Sequence, residues 1–124
     1  MGRENLEVVR ALFAVLGGED SATPLALFDP KIEWLPMEGE FHGIEGLITA
    51  MTDWLGTWQE HHVELEEASE VGDQVLAVVH LTARGEASGV EVDQRFYELY
   101  SVRDGKIVRM EEFLTRDEAL EAAA

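Results

Sequence analysis

The spacing of hydrophobic positions changes character along this chain, from a helical period in the first half to strict alternation in the second. Leu6, Val9, Phe13 and Leu16 recur at helical spacing, and Val8, Leu12 and Val15 widen the stripe. That pattern predicts a first amphipathic helix. It closes at Gly17-Gly18, because glycine takes the left-handed conformation that ends a helix without steric cost. A short helix around Pro24–Phe28 follows, with proline near its first turn. Asp29-Pro30 breaks it, and 31–35 reads as a short strand. The stretch from Pro36 to Gly43 is irregular and carries Phe41 and His42. Ile44, Leu47, Ile48, Met51, Leu55 and Trp58 then mark a second long helix, with Trp54 on its flank.

From Glu60 the period becomes two. Residues 60–70 form a weakly patterned candidate strand that turns at Gly72-Asp73. Residues 75–84 are apolar on both faces, and a strand of that kind must be covered on both. The two long helices cover one face, so the other is expected to meet a second copy, giving a homodimer built sheet to sheet. After a turn at 84–89 come two long strands, 90–114, joined at Arg103-Asp104-Gly105-Lys106. Asp-Gly between alternating apolar runs is a strong hairpin signal, since both central residues of the tight turn take positive φ. Thr115 is placed to cap a last helix, 116–123, with Asp117 and Glu118 in its first turn, where acidic groups suit the helix dipole. The layout is α+β, with helices on one concave side of a long, mainly antiparallel sheet.

The hairpin carries the candidate chemistry. Val90, Val92, Gln94, Phe96, Glu98, Tyr100 and Val102 share one face of its first strand, and Val108, Met110, Glu112 and Leu114 one face of its second. Two carboxylates on neighbouring apolar faces suggest a lined cavity. They cannot both ionise cheaply there, so one is expected to keep its proton and donate a hydrogen bond. The alternative is an ion pair with Arg84, Arg95 or Arg109, or a turn to solvent at a rim. His80, on the face with Leu76, Val78 and Thr82, is expected beside Glu98 and Glu112 as a histidine–carboxylate acid–base group. The competing reading is a satisfied polar cluster or a histidine at a dimer face. Phe28, Trp34, Trp54, Trp58, Phe96, Tyr100 and Met110, with Gln94, are candidates to line a pocket for an apolar ligand, or else core. His42 reads as a surface-loop histidine. His61 and His62 point to opposite faces as strand neighbours, so they do not share a metal ion.

Composition narrows the partners. The 124 residues suit one domain, 1–124. With 26 acidic against 9 basic residues the formal charge is −17. This argues against nucleic acid, whose phosphates need Lys and Arg, and against anionic membrane surfaces. There is no cysteine, hence no disulfide, thiol nucleophile or thiolate metal site. Charges interrupt the N-terminal stretch, so neither a signal segment nor a membrane span is expected, and a cytoplasmic location is the default. No phosphate-binding glycine loop or serine nucleophile elbow is present. Neither cofactor nor metal is expected, and the expected partner is a small apolar molecule.

Three local phrases carry a resemblance to a known family. They are Phe41-His42-Gly43 leading into the helix to Trp54, then Val71-Gly72-Asp73-Gln74-Val75, then RDGKIVRMEEFLTRDEALEAA near the C-terminus. With the order of elements, they resemble the nuclear transport factor 2-like superfamily and its SnoaL-like group. The resemblance implies a cone-shaped half-barrel, with a pocket between curved sheet and helices and frequent pairing through the sheet. It also implies roles. Glu98 falls where ketosteroid isomerase-like members hold a protonated acid, but their oxyanion tyrosine falls on Leu12 and their base near Trp34. Glu112 falls where limonene epoxide hydrolase-like members carry an aspartate, but their Arg-x-Asp pair falls near His80 and Thr82. SnoaL-type cyclases use a carboxylate base, for which Glu112 is the candidate. The expected function is cofactor-independent acid–base chemistry of isomerase, cyclase or hydrolase type on a small apolar carbonyl, polyketide-like or epoxide compound. Glu112 would be base or acid, Glu98 the proton-holding donor and His80 the tuning or relay group. The alternative is a non-catalytic ligand-binding or dimerisation module.

Overall fold

The computed structural model describes residues 2–17 and 24–123. Gly18, the second glycine of the expected helix stop, lies outside them, as do the side chains of Val15 and Leu16. Helix α1 (Gly2–Gly17) is followed by a 3₁₀ turn (Pro24–Leu27), strands β1 (Phe28–Leu35) and β2 (Phe41–His42), and helix α2 (Gly43–Thr57). Then come β3 (Trp58–Val71), β4 (Gln74–Gly85), β5 (Glu91–Arg103) and β6 (Lys106–Phe113), and finally α3 (Arg116–Ala123). The strands form one six-stranded sheet in the order β2-β1-β6-β5-β4-β3. Its β1–β6 contact is parallel and the others are antiparallel. No helix among the described residues is long and apolar enough to cross a membrane.

The two long helices lie on one face of this sheet. Val9, Leu12 and Phe13 of α1 and Leu47 and Ala50 of α2 pack in one core with Val75, Ala77 and Val79 of β4, Tyr100 of β5 and Met110 of β6. Burying each larger apolar side chain contributes roughly 1.5–3 kcal/mol, which is what holds helices of this length in place. The hairpin turns as expected, with Asp104 and Gly105 at φ 53° and 76°. Thr115 caps α3: its Oγ1 accepts from the Glu118 N–H at 3.2 Å and its hydroxyl donates to the Glu118 carboxylate at 3.1 Å.

Several expectations need correction. Asp29-Pro30 lies inside β1, not before it. The β1–β6 register shifts between Phe28 and Glu33, and β2 pairs only with Glu33 and Trp34, so no ladder bond is lost at the prolyl nitrogen on that edge. Trp58 opens β3 and does not close α2. A register shift between Ser101 and Val102 turns Ile107 into the core in place of Val108. Most important, the helices are not all on one side. Arg116 of α3 bonds Glu67 at 3.0 Å and sits 5.6 Å above the Tyr97 ring. Both partners pair with Val78, whose side chain points away from the main core. Thus α3 packs on the convex face. There Leu76, Val78, Leu99 and Ala119 are all buried within the single chain. The C-terminal helix meets β5 and β6 on this face, and Leu76 and Val78, part of the apolar second face of β4 that motivated a second subunit, are buried within the single chain.

Candidate acid–base site

Strand parity brings two of the three proposed acid–base residues together. In the β5–β6 ladder Glu98 lies directly opposite Glu112, and Tyr100 opposite Met110. Side chains two residues apart on a strand share a face, so Tyr100 stands beside Glu98. Its hydroxyl donates to Oε1 of Glu98 at 2.8 Å. The ring is fixed by edge-on contacts with Phe13 of α1 and Trp34 of β1, at centroid distances of 6.3 and 6.5 Å. Glu98 is 7% exposed and Tyr100 1%.

Burial sets the electrostatics. Removal from water pushes the Glu98 carboxyl well above the ordinary carboxylate range. The charge of Glu112 and a side-chain hydrogen bond with it push the same way, and the Tyr100 hydroxyl pulls partly back. Burial also raises the Tyr100 hydroxyl well above its usual value, followed by the charge of Glu98. The tyrosine therefore remains a donor. The raised carboxyl of Glu98 thus stands between a phenol and a second carboxyl group.

Glu112 is half-buried and reaches the surface. It lines a groove of about 460 Å³ with Leu35, Pro36 and Met37 after β1, Phe113 and Leu114 at the end of β6, and Glu111 and Glu118. The apolar walls and single reachable member of the dyad make this the place where a small molecule can meet the pair.

His80 is not part of this site. Its side chain shares the convex face with Leu76 and Val78, because it pairs with Arg95, whereas Glu98 pairs with Ala77, three residues earlier on β4. An odd separation along a strand puts two side chains on opposite faces. His80 Nε2 lies 2.6 Å from Asp93 Oδ1, and Nδ1 lies 3.9 Å from Glu66. The same Glu66 takes two bonds from Arg95, at 2.6 and 3.2 Å. The expected relay to Glu98 and Glu112 is replaced by a satisfied polar cluster on the other side of the sheet.

The aromatic candidates separate into three groups. Phe28, Trp34, Tyr100 and Met110 are core, at 3, 8, 1 and 0% exposure, with Trp34 edge-on to Phe28 at 5.9 Å. They support the dyad from behind. Phe96 and Gln94 lie on the Glu98 face further along β5, one half-buried and the other exposed. Trp54 and Trp58 form a cluster with His61, with Trp54 at 5.9 Å from Trp58 and 5.2 Å from His61. The Trp58 indole N–H is buried there without a hydrogen-bond partner among the described residues. A second groove of about 520 Å³ runs along the neighbouring strand ends, lined by His61, Ala83 and Val92 among others. His42 is exposed, 3.9 Å from both Glu33 and Glu40. Among the described residues no three side chains of metal-ligating type gather at one point.

Sequence reasoning missed the partners of Tyr100 and His80. Tyr100 reads as a pocket wall, yet its hydroxyl is spent on Glu98; the i, i+2 spacing was the available signal. Asp93 as the partner of His80 required the β4–β5 register, which alternation alone does not supply.

Comparison with known proteins agrees with this architecture. A family model described as a SnoaL-like domain matches residues 9–110. An uncharacterized protein of Mycobacterium tuberculosis strain H37Rv is 31% identical over 128 aligned positions, spanning 95% of this chain and 94% of that protein. Among solved structures, a SnoaL-like polyketide cyclase candidate from Jannaschia sp. CCS1 superposes with a TM-score of 0.80 at 23% identity, over 98% of this chain and 92% of that one. TerC, co-crystallized with polyporic acid, gives 0.77 at 21% identity, over 97% and 98%. At these identities the structures speak for the fold alone. Taken with the six-stranded cone, the family match places this chain in the SnoaL-like family of the nuclear transport factor 2-like superfamily.

Proposed function

We propose that this chain performs cofactor-independent acid–base chemistry on small, apolar, enolisable carbonyl compounds. The observation that carries the reading is the register pairing of Glu98 with Glu112, one buried with its carboxyl pushed up, the other open to a groove. Two carboxyl groups sharing a site hold one proton between them. Such a pair can take a proton from the carbon beside a carbonyl and return it at another position, which is the proton balance of an isomerisation or an aldol-type ring closure. Glu112 is the base, because it is the member a ligand can touch. Glu98 supports it as a neutral donor from behind. Carbonyl compounds are preferred over epoxides because among the described residues no arginine stands in the groove lining to position water attack. The polyketide cyclase candidate and TerC among the fold neighbours make polyketide-like diketones and polyporic acid sensible first probes.

The test is hydrogen–deuterium exchange at carbon, followed by NMR in D₂O across a panel of neutral diketones and keto esters. The wild-type protein is expected to accelerate exchange. Glu112→Gln should return it toward background, a loss on the order of 10²–10⁴-fold, the usual worth of a positioned base. Full exchange activity in Glu112→Gln would remove the residue from the mechanism.

A non-catalytic binding role has one observation in its favour. The space between sheet and helices is packed with Phe13, Phe28, Trp34, Tyr100 and Met110, so the hollow beside Glu112 is a surface groove, not a deep chamber. Ligand-induced NMR shifts confined to Leu35–Met37 and Phe113–Leu114, without exchange for any member of the panel, would favour that role.

A further inference from the structure

Tyr100 is a buried titratable group that the proposed chemistry does not consume. Among the described residues its hydroxyl has one hydrogen-bond partner, Oε1 of Glu98 at 2.8 Å. The phenol donates to it, and a carboxyl oxygen that accepts as the carbonyl oxygen is not the one that carries the acid proton. We propose that Tyr100 is a positioning residue, which leaves the Glu98 proton to Oε2 and so directs the donated hydrogen bond across the strand pair to Glu112. The chain of bonds runs outward: Tyr100 Oη–H to Glu98 Oε1, then Glu98 Oε2–H to the Glu112 carboxylate at the groove. Its direction is set at the buried end, where Phe13 and Trp34 hold the phenol ring.

Among the described residues no other group sets that direction. From β4 the residue opposite Glu98 is Ala77, from α1 the neighbour of the phenol is Phe13, and from β1 it is Trp34. None of these titrates. The charged and titratable groups that bear on Glu98 are Glu112 and Tyr100, and those that bear on Tyr100 are Glu98 and Glu112. A carboxylic acid with both oxygens equally free would place its proton on either, and Glu112 would lose its fixed donor about half of the time. Chains of this kind are also mutually polarising, so the phenol acts on Glu112 without touching it.

The kinetic consequence rests on the acid–base reading above; the spectroscopic one does not. Infrared spectroscopy reads the carbonyl stretch of a buried protonated carboxyl group directly. The wild-type protein is expected to show such a band at neutral pH, and Glu98→Gln should remove it, which assigns it. Tyr100→Phe should move the band to higher frequency, since the carbonyl oxygen loses its donor. Replacing the tyrosines by 3-fluorotyrosine, a stronger donor, should move it to lower frequency in a fully native protein. A missing band in the wild type, or a band that neither change moves, overturns the proposal. In the exchange assay, Tyr100→Phe should lower kcat about tenfold, the size of one well-placed hydrogen bond, with KM unchanged. Its alkaline limb should move to higher pH, because the tyrosine bond favours the ionised form of Glu98. An unchanged alkaline limb in an active variant also overturns it. If no substrate turns over, the acid–base reading fails by itself, and the infrared bands still decide what Tyr100 does.

Discussion

The two faces of the sheet treat the same residue type in opposite ways. On the face that carries the two long helices Glu98 has a phenol and another carboxyl for company, and burial pushes its carboxyl up. On the convex face Glu66 meets the Arg95 guanidinium at 2.6 Å, and that hydrogen bond holds its carboxyl below the ordinary range. Both belong to one sheet, so the difference lies in what covers each face. One face is roofed by the apolar stripes of α1 and α2. The other has arginine, histidine and water within reach, and α3 shields only one end of it. A carboxylate is thus made unusual by the loss of solvent and partners, not by its place in a strand.

The largest effect expected is on the covering itself. Leu99 is 1% exposed on the convex face, where α3 lies. Leu99→Ala should cost about 2–5 kcal/mol in urea unfolding, the usual range for a leucine removed from a packed site. A cost below about 1 kcal/mol would mean that α3 does not roof this side, and the contrast between covered and open regions would need redrawing.

Next in size is the pH dependence of Glu98. Its folded pKa is raised, so between the ordinary carboxylate value of 4.5 and that higher value the folded chain holds a proton the unfolded chain has released. Stability is therefore fully present below the lower value and is lost as pH rises through the upper one. Glu98→Gln keeps the shape and never ionises. It should be the more stable protein at alkaline pH, by about 1–3 kcal/mol, the cost of a poorly satisfied buried polar group. Parallel curves for the two proteins from pH 5 to 9 would show that Glu98 ionises freely and would remove the neutral-acid half of the comparison.

How much of this was legible in the sequence follows the same division. Alternation from Val92 to Tyr100, with the Asp104-Gly105 turn between matching runs, determines which side chains share the concave face, so the Glu98–Glu112 pair can be read without coordinates. The Thr115 cap and the stripes of α1 and α2 are equally local. His80 could not be placed in this way. Its parity relative to Glu98 depends on which residue of β4 stands opposite which residue of β5, and a slip of one position reverses every side chain. Nor could the side taken by α3, since Ala119, Leu120 and Ala123 mark a helix without marking the face it lands on. The expected pocket lining failed for a third reason. An aromatic side chain in an apolar stripe has the same signature in a core as in a cavity, and only packing tells Trp34 from a wall.

The smallest effect expected is on the open face, and it sharpens the contrast by its size. Glu66 is exposed, and its ion pair with Arg95 is shared with water and salt, so the pair contributes little to folding. Its lowered carboxyl still has a definite sign. Stabilisation from the pair is present above 4.5 and is lost as pH falls through the folded value, the reverse of the course set by Glu98. Carboxyl-detected NMR should therefore place the Glu66 midpoint below that of an ordinary glutamate, and raising the salt concentration should bring it back toward normal. Glu66→Gln should leave the unfolding midpoint at neutral pH unchanged within error, while freeing His80 Nδ1 of its neighbour at 3.9 Å. A marked loss of stability would mean that this side of the sheet is screened from water after all, by a partner or by a further part of the chain, and that both faces follow the same rule of burial.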